Sequence, residues 1–166
     1  MNDPVRLTGG CQCGAVRYAL HEEPRDPHIC HCRMCQKAFG SYFAPLAGVA
    51  RENFELTRGT LATFMSSDKT ARGFCRDCGT PLTFDPIGYG SIAFSIGSLD
   101  DPARVVPTTQ SGIEARVGYF AALPGLPGVT IEAAEGAAHV EAIRATNHQH
   151  PDHDTSAWPS AGEEPT

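Results

Sequence analysis

Apolar and polar residues alternate along several short stretches of this 166-residue chain. Such alternation indicates a half-buried β-strand, because successive side chains of a strand point to opposite faces of the sheet. In the clearest case, Ile92, Phe94 and Ile96 alternate with small residues. The pattern predicts strands over Ala15–Leu20, Ser41–Val49, Leu61–Met65, Thr70–Phe74, Pro81–Phe84 and Ser91–Ile96, with further candidates at Ala115–Ala121 and Val129–Ala133.

The segments between these strands are rich in turn residues. Leu61–Met65 and Thr70–Phe74 are predicted to form a hairpin or meander, and the next two strands form another pair. His21–His28 contains two prolines and is expected to be a loop, whereas Arg33–Phe39 is expected to make a short helical turn. Pro45 suggests an edge or a bulge in its strand, because proline cannot donate to a ladder.

These elements predict one mainly-β domain of short antiparallel strands with irregular loops, over residues 1–147. A chain of this length fits a single domain, and 17 glycines with 13 prolines favour a loop-rich β fold over a helical bundle. Residues 148–166 are predicted to form a polar tail. Its His148, His150 and His153 are expected to be solvated or packed on the surface rather than bound to metal.

Charge and hydropathy disfavour two classes of partner. The net charge is −6 and no basic run is present, which argues against nucleic acid. No stretch approaches the roughly 20 apolar residues that span a bilayer, so no membrane contact is expected. The first ten residues contain an acid and a proline but no apolar run, so we expect no signal peptide and a cytoplasmic location.

The chain contains seven cysteines. An odd number without an export signal is poor material for disulfides, because a reducing cytosol keeps thiols reduced. Metal ligation, redox chemistry and buried inert thiols remain. Thioredoxin-like redox chemistry would need a C-x-x-C motif that opens a helix, whereas CRDCGTPLTF leads from this motif into a strand.

Four of the cysteines form two pairs far apart in the chain. Cys11 and Cys13 lie in GGCQCG, where an extended backbone would direct both sulfurs to one side. Cys75 and Cys78 precede Gly79, which can take the positive φ of a metal-binding turn. Two such pairs supply the four thiolates of a closed tetrahedral zinc site. We therefore predict a structural zinc that ties the first strand to the middle of the sheet, which makes the fold a zinc-stapled domain.

The other three cysteines, Cys30, Cys32 and Cys35, lie within the six residues CHCRMC. Three protein ligands and one open position are typical of a reactive zinc site, so this cluster is predicted to be catalytic and to hold the second of two zinc ions per chain. His31 should point away from the metal on an extended chain. Two alternatives stay open: inert buried thiols, or a structural site completed by a fourth ligand such as a tail histidine.

Five segments of the sequence carry a family resemblance: GGCQCGAVRY, CHCRMCQKAFGSYFAP, RGFCRDCGTPLTF, GSLDDPA and GLP. On these segments the chain resembles the glutathione-dependent formaldehyde-activating enzyme family, which includes centromere protein V. The resemblance implies a mainly-β fold with a structural zinc on the outer four cysteines and a catalytic zinc on the inner three. It also implies addition of glutathione to formaldehyde, a carbon–sulfur lyase reaction in reverse. Gln110 stands near a position where many relatives carry His.

A zinc ion held by three thiolates suits a thiol substrate. It is a weak Lewis acid toward water, but it can bind and deprotonate a fourth thiol, which stays nucleophilic toward a carbonyl carbon. A glutathione-like thiol also carries carboxylates. Arg33 and Lys37 beside the inner cysteines are the predicted substrate-binding residues, and Arg72 and Arg76 beside the outer pair are further candidates.

The sequence therefore predicts a zinc-dependent carbon–sulfur lyase-type enzyme whose partners are a glutathione-like thiol and a small aldehyde. The alternative is a non-enzymatic zinc-stapled binding module, which should have one metal site or two closed ones. Phe39, Tyr42 and Phe43 follow the inner motif and are expected to form core or pocket wall.

Overall fold

The computed structural model describes residues 6–157 and builds them mainly from β-strands. The strands are β1 (Leu7–Gly10), β2 (Arg17–Leu20), β3 (Arg25–Cys30), β4 (Ala44–Ala50), β5 (Phe54–Arg58), β6 (Ala62–Ser67), β7 (Thr70–Phe74), β8 (Pro81–Pro86), β9 (Ser91–Ser95) and β10 (Thr109–Ser111). The helices are α1 (Arg33–Phe39), α2 (Ile131–Glu135) and α3 (Ala137–Thr146).

The strands form two sheets. The small sheet has the order β1-β2-β5, and the large sheet has the order β10-β3-β4-β9-β8-β7-β6. The prediction of a mainly-β fold is confirmed, as are the pairing of β6 with β7, the pairing of β8 with β9 and the short helix α1. Among residues 6–157, no helix combines the length and the apolar character that crossing a membrane requires.

The main core joins the two sheets. Tyr18 and Leu20 of β2 are fully buried and belong to the same cluster as Val49, Leu82 and Phe94 of the large sheet. The rings of Tyr18 and Phe94 lie 6.2 Å apart at a tilted angle. Burial of these large side chains is the main favourable term that holds the small sheet against the large one.

The prediction of a loop over His21–His28 holds for residues 21–24 but is wrong from Arg25, where β3 begins. Pairing with β4 on one side and β10 on the other gives this segment its hydrogen-bond partners. The ladder is irregular between Arg25 and His28, and Asp26 has a φ of +50°. Pro27 lies in this irregularity, where a missing N–H costs little.

Two further details of the large sheet differ from the predictions. β10 runs parallel to β3, although all strands were expected to be antiparallel. Pro45 lies in a strand with neighbours on both sides rather than at an edge. Pairing between β4 and β9 begins only at Leu46, however, so Pro45 has a single neighbour in the ladder, Ile29 of β3. A missing donor is tolerated at such a position.

The predicted strands at Ala115–Ala121 and Val129–Ala133 are wrong. The first segment overlaps 3₁₀ turns at its two ends, Ile113–Ala115 and Phe120–Gly125, and the second runs into the start of α2. The Thr130 side chain caps α2 by accepting a hydrogen bond from the Ala133 N–H. A threonine followed by an alanine- and glutamate-rich stretch is a helix signal that outweighs the short apolar run.

The described part of the C-terminal tail packs on the small sheet. The His150 N–H donates to the carbonyl of Gln12 at 2.7 Å, and Arg58 of β5 donates to the Thr155 hydroxyl at 3.0 Å. Residues 158–166 of the predicted tail lie outside the described residues. The boundary between domain and tail at residue 148 stays a prediction.

A buried ion pair joins β2 to this tail and to the loop after β9. Arg17 is 3% exposed and donates to both carboxylate oxygens of Asp100, at 2.7 and 2.6 Å, and to Asp154 at 2.8 Å. Burial disfavours the ionised form of Asp100, but the hydrogen bonds from Arg17 and Thr8 outweigh it and lower the pKa of Asp100.

Asp100→Asn should lower the free energy of unfolding by about 3 kcal/mol, because it leaves the buried Arg17 cation undercompensated. The matched control is Asp85→Asn. Asp85 pairs with Arg51, whose side chain is 44% exposed, so the control should cost about 1 kcal/mol or less. Urea unfolding at pH 7 measures both variants, and equal losses would contradict the prediction.

The same ion pair predicts a pH dependence. Because the pKa of Asp100 is lower in the folded protein than in the unfolded chain, its contribution is present above the ordinary aspartate pKa of about 3.9 and is lost as the pH falls through the folded value. The difference in stability between the wild type and Asp100→Asn should therefore shrink below about pH 4.

Candidate metal centres

Four thiols converge where the turn after β1 meets the turn after β7. The sulfurs of Cys11, Cys13, Cys75 and Cys78 all lie within 4.8 Å of one another. The Cys13 sulfur is 3.6 Å from that of Cys11 and 3.8 Å from that of Cys75. A tetrahedral zinc ion with Zn–S bonds of about 2.3 Å separates its sulfurs by about 3.8 Å. This outer cluster therefore has the donors and spacing of a closed metal site.

Local hydrogen bonds shape both turns of the outer cluster. The Val16 N–H donates to the Cys11 sulfur at 3.2 Å. Gly79 has the positive φ that its position predicted, +77°, and its N–H donates to the Cys75 carbonyl at 2.9 Å. Thr80 follows, and its hydroxyl lies 3.1 Å from the Cys78 sulfur. The turns thus direct N–H and O–H groups at sulfur, which favours thiolates.

The ionisation of the outer thiols follows from burial and these donors. Burial raises the pKa of Cys11 well above the ordinary thiol value. Burial also opposes ionisation of Cys78, but hydrogen bonds from Thr80 and from the Cys13 backbone outweigh it and lower the pKa to about 6. A metal ion would complete the deprotonation, because a coordinating thiol loses its proton.

The inner cluster contains Cys30, Cys32 and Cys35, whose sulfurs also lie within 4.8 Å of one another. Cys30 ends β3, Cys32 caps α1, and Cys35 lies inside that helix. The Cys35 N–H donates to the Cys32 sulfur at 3.4 Å. Cys35 is buried, whereas the other two are partly exposed. Among the described residues, no His, Asp, Glu or fourth Cys joins this group.

The two ends of the inner cluster differ in electrostatics. Burial raises the pKa of the Cys35 thiol to about 12, although Arg72 acts in the opposite direction. Burial also opposes ionisation of Cys30, but hydrogen bonds from the Ser111 side chain and the Cys32 backbone outweigh it and lower the pKa. The exposed end of the cluster therefore ionises more easily than the buried end.

Arg72 of β7 belongs to the inner cluster, although its place in the sequence suggested the outer pair. Its Nη2 donates to the Cys35 sulfur at 3.5 Å, and its guanidinium lies 5.1 Å from the centre of the Phe84 ring. Arg72 and Phe84 are cross-strand partners on β7 and β8. The contact joins residues 37 positions apart, so sequence spacing could not reveal it.

His31 points away from the inner sulfurs, as its position between two ligands predicted. It is fully buried, and its Nε2 donates to Oε1 of Gln110 on β10 at 2.9 Å. The ring also makes an edge contact with Phe120, with centroids 4.7 Å apart. Gln110, which the sequence singled out as a departure from relatives, thus contacts the His31 ring on the side that faces away from the inner sulfurs.

The segment after β10 forms one wall of the inner cluster. The Gln36 side chain donates to the carbonyls of His31 and Ala115, at 2.8 and 2.9 Å. Gly112 has a φ of +63°, and an added Cβ would lie 2.7 Å from the Cys32 backbone N. Only glycine allows this close approach. Sequence reasoning missed the contacts of Gln36 with Ala115 and of Gly112 with Cys32, because these partners are distant in the chain.

Of the remaining predicted site residues, all but Arg76 lie near the inner cluster in the sequence. Arg33 and Lys37 are exposed on α1, and Arg33 donates to Gln36 at 2.9 Å. Phe39 packs against the inner cluster. The rings of Phe43 and Tyr42 make edge contacts with aromatic residues of the wall: Phe43 with Phe120, and Tyr42 with Tyr119. Arg76 is exposed in the turn that bears the outer pair.

Two comparisons relate this chain to known proteins. A family model described as glutathione-dependent formaldehyde-activating enzyme matches residues 6–114, which include both cysteine clusters. The crystal structure of a Rhodobacter sphaeroides protein superposes with a TM-score of 0.52 at 21% identity, covering 63% of this chain and 99% of that one. At this identity the structural likeness supports the fold alone.

Gly112→Ala should weaken the inner cluster, because the new Cβ meets the Cys32 backbone and the positive φ strains any side chain. We expect a loss of about 1–3 kcal/mol of stability and weaker cobalt binding at the inner cluster. Gly118→Ala is the control, since its Cβ would meet nothing within 4 Å. Cobalt titration and urea unfolding measure both variants; equal behaviour would contradict the assigned contact.

Proposed function

This chain belongs to the glutathione-dependent formaldehyde-activating enzyme family, and from that membership we propose that it is a zinc-dependent carbon–sulfur lyase-type enzyme. It would act on the adduct of a glutathione-like thiol with a small aldehyde. The observation that carries the proposal is the inner cluster, in which three thiols converge without a fourth ligand among the described residues. Such a donor set leaves one coordination position for a substrate.

We assign a structural zinc to the outer cluster. Four sulfurs spaced as in a tetrahedral site leave no position for a substrate. The site would tie the turn after β1 to the turn after β7, which are more than 60 residues apart. In such sites the free energy of metal binding contributes to folding.

We assign a second zinc to Cys30, Cys32 and Cys35. When bound there, zinc would lower the pKa of an incoming thiol and hold its sulfur as a nucleophile. The protein's own part is to hold the three sulfurs on a short segment and to shield one side. Cys35, His31 and Gln36 are buried on that side, while Cys30 and Cys32 are partly exposed toward an approaching ligand.

The reaction that this arrangement suits is an addition in which no atom is lost and no electron is gained or lost. The thiol sulfur forms a bond to the carbonyl carbon of the aldehyde, and the carbonyl π electrons move to the oxygen. The oxygen then takes up one proton, equal to the one that the thiol released. No atom is oxidised or reduced, and the reverse reaction cleaves the carbon–sulfur bond. The product with formaldehyde is an S-hydroxymethyl adduct.

We propose Arg33 and Lys37 as the groups that attract the carboxylates of the thiol. Both are exposed on the helix that bears Cys35, and no acidic side chain among the described residues pairs with either. Arginine is well suited to a carboxylate, because its planar fork donates two parallel hydrogen bonds. We also propose the cytoplasm as the compartment, because seven thiols in two clusters need a reducing environment.

Glutathione should alter the visible spectrum of the cobalt-substituted protein, because a fourth sulfur ligand changes the cobalt ligand field. S-methylglutathione is the matched control: it keeps both carboxylates but has no ionisable thiol. We expect a saturable change with glutathione and none with the methylated compound. An unchanged spectrum at saturating glutathione would refute thiol binding at the inner cluster and favour the alternative, a non-enzymatic zinc-stapled binding module.

Turnover is tested with ¹³C-labelled formaldehyde and glutathione. Exchange NMR measures how fast free and thiol-bound formaldehyde interconvert, and the protein should raise this rate in proportion to its concentration. Cys35→Ser should abolish the effect. A rate equal to the uncatalysed one would refute the enzymatic proposal even if the cobalt spectrum responds to glutathione.

Loss of one ligand from each cluster should separate stability from activity. Cys78→Ser opens the outer site, whose metal binding in comparable peptides contributes of order 10 kcal/mol to folding, so the melting temperature should fall sharply. Cys35→Ser affects a loop so short that closing it constrains little of the unfolded chain. Its fold should survive with a smaller loss of stability than Cys78→Ser, a loss that comes from leaving the buried Arg72 without the Cys35 sulfur. Zinc content should fall from two ions per chain to one. If both variants unfold equally, the inner site is structural.

A further inference from the structure

We propose that Arg72 is a positioning residue that stabilises the negative charge of the inner cluster through its contact with Cys35. The proposal rests on the proposed function, since it takes the inner cluster to bind a metal ion and an anionic fourth ligand. Its own prediction is that the positive charge of Arg72 sets the affinity of the cluster, first for the metal and then for a thiolate.

The surroundings of Arg72 are unusual for a buried cation. The residue is 7% exposed, and among the described residues its side chain makes one hydrogen bond, to the Cys35 sulfur. Its Nε and Nη1 are buried without a hydrogen-bond partner among the described residues. The face of Phe84 supplies a cation–π contact. A buried guanidinium needs an anion nearby, because removing a charge from water costs several kcal/mol.

Arg17 shows how the same chain neutralises its other buried arginine. Arg17 is 3% exposed and binds two carboxylates, those of Asp100 and Asp154. Arg72 forms no ion pair with any carboxylate of the described residues. The contrast indicates that the anion for Arg72 is the sulfur of Cys35 and, beyond it, the cluster as a whole.

The charge of a loaded inner cluster matches this need. Three thiolates exceed the charge of a divalent metal by one negative unit, and a bound substrate thiolate doubles the excess. An uncompensated charge of this size is costly beside the buried side of the cluster. A cation in contact with Cys35 offsets part of it.

This role differs from that of a substrate-binding arginine. Nε and Nη1 are shielded from solvent, so a carboxylate of the substrate has no path to them in this structure. Arg72 acts through Cys35, whereas the exposed Arg33 and Lys37 are the groups that a substrate carboxylate can reach. Removing Arg72 should therefore weaken anionic ligands at the metal and spare neutral ones.

The test compares Arg72→Met with Arg72→Lys. Methionine keeps apolar bulk against Phe84 without charge, and lysine restores the charge. Cobalt affinity of the inner cluster is measured by competition with a chelator, with the outer cluster as internal reference. Arg72→Met should lower inner-cluster affinity about tenfold or more, the size expected for a lost hydrogen bond between charged groups, and Arg72→Lys should recover most of it. Equal affinity in Arg72→Met and wild type would overturn the proposal.

A second measurement separates charge from packing. Glutathione and imidazole are titrated into each cobalt-loaded variant, because one binds as an anion and the other as a neutral ligand. Arg72→Met should weaken the binding of glutathione about tenfold and leave the binding of imidazole unchanged. Equal weakening of both ligands, or equal losses in the Met and Lys variants, would show a merely structural role. If Arg72→Met does not fold, Arg72→Gln replaces it as the neutral variant.

The outcomes also separate this proposal from the proposed function. If glutathione does not change the spectrum of the cobalt-loaded wild type, thiol binding is refuted. The comparison of metal affinities still decides the role of Arg72. A wild type that binds glutathione, with an Arg72→Met variant that binds metal and glutathione as tightly, refutes the role of Arg72 alone.

Discussion

The convergence of four sulfurs in the outer cluster is the constraint on which the rest of the structure depends. It brings the turn after β1 to the turn after β7, and the proposed metal ion would join the small sheet to the large one at a point that hydrophobic packing alone would not specify. β7 then continues from this tie to the inner cluster, because Arg72 lies three residues before Cys75. The two clusters are therefore linked through one strand, and the position of the outer site helps to place the buried side of the inner one.

The inner cluster is held from three directions. The cap of α1 orders Cys32 and Cys35, and β10 contacts the His31 backbone and ring. Arg72 reaches Cys35 from β7. A loop of six residues could not fix three sulfurs without such support, since its own backbone bonds are few. This supporting shell leaves Cys30 and Cys32 partly exposed, as the proposed site for an incoming thiol requires.

The two buried arginines illustrate two uses of one side chain. The charge of Arg17 on β2 is neutralised within the protein by carboxylates of the loop after β9 and of the tail. Arg72 instead faces a group whose charge depends on what is bound there. Replacing a buried ion pair by well-packed apolar residues is often neutral or stabilising, so a buried cation without a carboxylate partner calls for a reason outside packing. The charge of the proposed metal–thiolate cluster provides one.

Local sequence determined the division of seven thiols into four and three, the strands with regular alternation and the short helix after Cys32. These follow from nearest-neighbour geometry: ligand spacing, side-chain period and turn residues act within a few positions. Tertiary structure decided what depends on distant partners. His21–His28 is partly strand because β4 and β10 pair with it. Gln110 forms a hydrogen bond with His31, and Arg72 contacts the inner rather than the outer cluster. No local pattern encodes such contacts, because they arise only when the sheet order brings separate strands together.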